Sequence, residues 1–200
     1  MGFGPSIVLA ATEGHVDVVR YVVGFLESHR HLAVDEFSLL AAVHVGLIDE
    51  ARHLNVKRAV DVNAPFDSTS VFPSDGYLAI ACARADVAMV ALLLHEGGAD
   101  ADYGGAAENL NAYSLTDRGT PLRLASDDRG GKTQQREEIV RLLIAHGADV
   151  DAVMSAVAAE DELARASRPS FLAIGTITAA QQALIARALT RVSSPPYAEF

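Results

Sequence analysis

Gly130-Gly131-Lys132-Thr133 ends like a phosphate-binding loop, in which a lysine ammonium and backbone amides hold an anion. The complete loop needs a glycine at position 126, which is Ser126, and a buried strand ahead of it, where this chain has a helical pattern. A polar loop between two helices accounts for the residues better. His29 and His31 flank Arg30, with Asp35 and Glu36 just beyond, yet no cysteine or carboxylate set at ligand spacing completes a metal site. Asp100 with Asp102, and Asp149 with Asp151, are carboxylates two residues apart that could share acid–base work. The same spacing suits turns in which aspartate accepts backbone N–H bonds, and that is the preferred reading. Serine, histidine and aspartate all occur without a Gly-x-Ser-x-Gly elbow. The expectation is a chain with no catalytic residues, no cofactor and no metal.

Repetition dominates the elements that carry these residues. The stretch from Leu9 through Ala10, Ala11, Gly14, His15, Val18, Val19, Val22 and Val23 returns in altered form at Leu39–Leu54 and Leu78–Leu94. A fourth copy opens at Thr120-Pro121-Leu122, resumes at Glu138 and closes with Ala145-His146-Gly147-Ala148-Asp149. Val18, Val19, Val22 and Val23 make one apolar stripe at helical period, while Ala10 and Ala11 are small enough for a neighbouring helix to approach. Gly14 separates the two helices as a turn residue. One such helix pair cannot bury its own apolar face, so successive pairs must stack.

These residues resemble the ankyrin repeat, with its Thr-Pro-Leu opening, Ala-Ala helix, Gly-His turn, Val-Val-x-Leu-Leu helix and Gly-Ala-Asp ending. The resemblance is firm from about residue 5 to 152 and loose from 153 to 190. Ser170–Gly175 and Ala183–Leu189 keep the rhythm of a degenerate, capping fifth repeat. The resemblance implies an all-α solenoid of about five helix–turn–helix repeats with short β-hairpin fingers. The repeats run over 5–34, 35–64, 74–103, 117–152 and 153–190, followed by an irregular tail at 191–200. Residues 1–190 then form a single domain. It also implies that the His15 ring holds backbone groups between repeats.

Spacing departs from the family period of about 33 residues. Equivalent apolar anchors lie 32 residues apart from Ile7 to Leu39, 39 from Leu39 to Leu78, and 44 from Leu78 to Leu122. The excess falls in insertions at 65–75, 103–117 and 127–136. Lengthening a surface loop costs little, so each is read as drift. Only a deep pocket beneath Phe66–Phe72 or Asp127–Arg136 would argue for small-ligand binding.

Composition narrows the function classes. The net charge of −10 disfavours nucleic acid and anionic membrane surfaces, and suits solubility and a basic partner. No apolar run is long enough to cross a bilayer, and no N-terminal signal pattern is visible. The single cysteine, Cys82, excludes an internal disulfide, fits a reducing compartment and sits where the family has a small buried alanine. An intracellular, cytoplasmic monomer is expected, with the nucleus not excluded.

The resulting expectation is a non-enzymatic module that binds another protein through a concave face and finger loops. The resemblance places contacts just before the inter-helix turns, at Thr12 and Glu13, His44 and Val45, and Ala83 and Arg84. It places finger contacts at Glu36, Asp75 and Arg118, with Asp127, Asp128 and Arg129 as candidates where the insertion replaces the pre-turn position. The alternative is a structural or regulatory segment of a larger protein, which exposed apolar residues at Ile7, Leu9 and Val22 would favour.

Overall fold

The structure is a computed structural model, and it describes residues 4–29, 36–57, 60–63, 76–103, 120–126, 131–151 and 179–192. The first two helices are α1 (Gly4–Thr12) and α2 (Val16–Ser28), and the next pair α3 (Glu36–Val45) and α4 (Ile48–Arg52). One π-helical turn, His53–Lys57, continues α4. The third pair is α5 (Tyr77–Ala83) and α6 (Val87–His95), and the fourth α7 (Pro121–Ala125) and α8 (Thr133–Ala145). Helix α9 (Ala179–Val192) follows.

Pairs stack in chain order. The first helices pack α1 on α3, α3 on α5 and α5 on α7, and the second helices pack α2 on α4, α4 on α6 and α6 on α8. Helix α9 lies against α8 and buries Leu184, Ile185 and Ala188. This helix spans the expected Ala183–Leu189 stretch; Ser170–Gly175 lies outside the described residues. The tail at 193–200 and most of the three insertions also lie outside them. No strand occurs among the described residues, so the expected β-hairpins are not seen there; residues 60–63 and 99–103 are turns.

The stack explains which side chains are buried. Central α3 is enclosed from Ser38 to Val43, and α5 from Tyr77 to Cys82, because each has a neighbour on both sides. Small residues such as Ala41, Ala42, Ala79, Ala81 and Cys82 let these helices approach closely. In α6, Met89, Val90, Leu92, Leu93 and Leu94 are all buried, each large one contributing roughly 1.5–3 kcal/mol by leaving water. At the outer end, α1 buries Ile7, Val8 and Ala11 but leaves Leu9 57% exposed, and α2 leaves Val18 at 50% and Tyr21 at 74%. Of the residues expected at an exposed end face, then, Leu9 is open, Val22 half-buried and Ile7 buried.

The inter-helix turn is a repeated hydrogen-bonded unit. His15, Leu47 and Asp86 each donate their amide to the carbonyl five residues back, on Ala10, Ala42 and Ala81, at 2.8, 2.9 and 3.1 Å. The residue before each adopts a left-handed backbone: Gly14 and Gly46 at φ 78° and Ala85 at φ 56°. Glycine takes that conformation freely, whereas alanine is strained by its Cβ. Gly131, at φ 63° and two residues ahead of α8, is the counterpart in the fourth pair.

Candidate functional site

The turns align equivalent positions of successive repeats along one edge of the stack. Thr12 and Glu13 close α1 and are exposed; His44 and Val45 close α3 and are half-buried; Ala83 is half-buried and Arg84 exposed at the end of α5. The structure therefore brings these six expected contact residues onto the same edge, on helices that pack against one another. Glu36 begins α3 instead, half-buried, and its carbonyl accepts the hydroxyl of buried Tyr77 at 3.1 Å. Asp75, Arg118, Asp127, Asp128 and Arg129 lie outside the described residues.

At the fourth pair this edge is held by cations. Helix α8 begins at Thr133, so the end of the stretch expected to be an inserted loop is helical. Counted from the left-handed turn residue, Arg136 stands where α2 has Val19, α4 has Ala51 and α6 has Val90, all fully buried. Arg136 is buried too, and its guanidinium donates to the carbonyls of Leu124 at 2.8 Å and Ala83 at 3.3 Å. These carbonyls lie at the ends of α7 and α5, where helix geometry leaves acceptor capacity and a partial negative charge. Its Nε has no hydrogen-bond partner among the described residues. Lys132 Nζ donates to the Arg84 carbonyl at 3.0 Å. The lysine of the Gly-Gly-Lys-Thr sequence is thus engaged with a neighbouring repeat.

Two pre-turn groups feel this positive environment. Burial, and then the charge of Arg84, hold the His44 imidazole below its ordinary value of 6.5. Burial pushes the Cys82 thiol far up, outweighing the opposite pull of Arg136, so Cys82 is an inert packing residue as expected.

The opposite edge is held by carboxylate and amide side chains. Asp61 Oδ1 accepts the amide of Asn63 at 2.9 Å, and Asp100 Oδ1 that of Asp102 at 3.0 Å, as their spacing suggests for turns. The second member of each pair reaches the next repeat. Asn63 donates to the Gly98 carbonyl at 3.0 Å and accepts from the Asp100 amide at 2.9 Å, and Asp102 accepts from the Asp149 amide at 2.9 Å.

The expected histidine roles divide. The exposed His15 ring makes no side-chain cap bond, so the turn rests on the His15 backbone instead, contrary to the family-based expectation. His29 stacks on Phe25, with its Nδ1 at 2.9 Å from the Phe25 carbonyl. His146 Nδ1 lies 2.8 Å from the Leu142 carbonyl at the end of α8, and its Nε2 is 3.2 Å from His95 Nδ1. Among the described residues no group of three histidine, cysteine, aspartate or glutamate side chains could hold a metal ion. No helix among them is long and apolar enough to cross a membrane.

Sequence signals for the local structure are physical. Thr120 caps α7 by accepting the Arg123 amide at 3.4 Å, and Pro121 fills the first helical position, where its missing N–H is no loss. Asp86 caps α6 by accepting from Met89 at 3.0 Å.

Stacked helix pairs joined by a repeated turn and linked at both edges define a helical-repeat protein. Residues 117–155 match the family model of the ankyrin repeat, so the fourth pair is an ankyrin repeat and the resemblance read from the sequence stands on it. No curated protein and no solved structure matches the chain. Ankyrin repeats generally mediate protein–protein interaction, and the family is typically non-catalytic.

Proposed function

We propose that this chain is a non-catalytic recognition module that binds another protein along the pre-turn edge, with its fingers contributing beside it. The observation that carries this reading is the alignment of Thr12, Glu13, His44, Val45, Ala83 and Arg84 on packed helix ends of consecutive repeats. A surface prestacked in this way loses little conformational entropy on binding, so modest contacts suffice. Polar and small side chains dominate it, which suits a contact of moderate affinity. The test is affinity capture from a native lysate with wild type and with the triple variant Glu13→Arg, His44→Ala, Arg84→Glu. A partner retained by wild type and lost by the variant supports the reading; equal recovery contradicts it.

A second reading, a structural segment within a larger assembly, is favoured by Leu9, Val18 and Tyr21, the exposed large apolar side chains on the first repeat. It expects Leu9→Gln with Tyr21→Ser to abolish a contact made by the end of the stack while leaving pre-turn binding intact.

A further inference from the structure

We infer that the pre-turn edge between the second and fourth repeats selects an acidic protein segment, although the chain as a whole carries a net charge of −10. The inference rests on the recognition reading above and specifies its partner's chemistry.

Two permanent cations converge on two consecutive carbonyls, and a third is carried by one of the residues that own them. Arg136 donates to Ala83 and Lys132 to Arg84, and Arg84 itself carries the third charge. None of the three makes an ion pair with a carboxylate among the described residues, while Arg20, Arg52 and Arg141 elsewhere in the second helices all do. Arg136 is 6% exposed, so its charge is removed from water and, among the described residues, is met by carbonyl dipoles at the ends of α5 and α7. Burial reduces screening by solvent and salt. Arg84 and Lys132 beside it are exposed.

Among the described residues, the neighbouring groups do not pair with these cations. Asp86 lies on the same turn and lowers the field in part, while its carboxylate accepts the amide of Met89 at the start of α6 and forms no ion pair with these cations. His44, packed beside Arg84, is kept toward its neutral form by burial and by that arginine, so it serves as a hydrogen-bonding group. Glu13, the acid among the described pre-turn residues, belongs to the first repeat. Among the described residues, the edge thus runs from acidic Glu13 at repeat one to basic Arg84 and Lys132 at repeats three and four. A segment carrying aspartate or glutamate fits over Arg84 and Lys132. A basic segment, which the net charge alone suggests, is repelled there. Carboxylates can pair with Arg84 in a two-pronged geometry and with Lys132 as a point charge.

The test is selection from a random peptide display library, unbiased in charge, on immobilised full-length chain. Parallel selections use the double variants Arg84→Glu with Lys132→Glu and Arg84→Gln with Lys132→Gln, each first checked by circular dichroism for wild-type helix content and melting. Expected are acidic peptides enriched by wild type, bound at least about tenfold more weakly by the glutamate variant and to an intermediate degree by the glutamine variant, with affinity falling as salt rises. Neutral or basic peptides that are lost on the Glu13→Arg, His44→Ala, Arg84→Glu variant would overturn the acidic preference and leave the recognition reading standing. Peptides indifferent to every variant, or no enrichment at all, would overturn both.

Discussion

The two edges of this stack are joined by opposite chemistry. At the finger bases, Asp61, Asp100, Asp102 and Asn63 offer oxygens to backbone amides, and Asn63 and Asp102 carry the links from one repeat to the next. At the pre-turn ends of repeats three and four, Arg136 and Lys132 offer hydrogens to backbone carbonyls. Each edge answers the orphaned groups its backbone presents, amides at the turns and carbonyls at helix ends. The contrast separates structure from surface. Asp100 and Asp102, conspicuous as a candidate acid–base pair, are held in a turn. The pre-turn edge keeps exposed Arg84 and Lys132, whose charges meet no carboxylate of the described chain.

Four perturbations test that contrast, from the largest expected effect to the smallest. Arg136→Met fills a similar volume but removes the guanidinium donor from the Ala83 and Leu124 carbonyls. It should lower unfolding free energy by about 1–3 kcal/mol in denaturant titration. An unchanged or raised stability would show that the buried charge costs more than its bonds contribute. On the other edge, Asn63→Ala removes two links between repeats two and three, partly open to water, and should cost about 1 kcal/mol in the same titration. Ala85→Gly should do the reverse, because glycine relieves the left-handed strain present at φ 56°. A gain of about 0.5–1 kcal/mol is expected, and a loss would mean that the turn is not strained.

The fourth effect is a pH dependence. Folded His44 takes up its proton less readily than the unfolded histidine, whose value is near 6.5. The unfolded chain therefore binds more protons as pH falls through 6.5, so the stability present above that value is lost below it. Arg84→Gln removes the second of the two causes and should make the acid-side fall in melting temperature shallower; an identical profile would remove Arg84 as a cause.

Much of this arrangement was legible in the residues. Gly14 and Gly46 mark turns because few other residues take their backbone conformation, and Thr120-Pro121 marks a helix start because its cap chemistry is local. The spacing of Asp100 and Asp102 announced a turn for the same reason. Ala85 was silent, since alanine gives no sign of a left-handed turn and the neighbouring repeats impose the conformation. Arg136 was missed through register. The insertion beginning at Asp127 hides where the repeat resumes, and the sequence alone does not align Arg136 with Val19, Ala51 and Val90. With Gly131 taken as the turn residue, a charge in an apolar slot becomes the signal. The His15 ring was misassigned because the family motif does not reveal that here the backbone suffices.

The most direct test of the contrast is amide hydrogen exchange on the full-length chain, with and without a peptide selected for binding. The account predicts new protection at the ends of α3 and α5 and across residues 131–136, with the turns at 60–63 and 99–103 unchanged. Protection confined to those turns, with the helix ends unaffected, would contradict it.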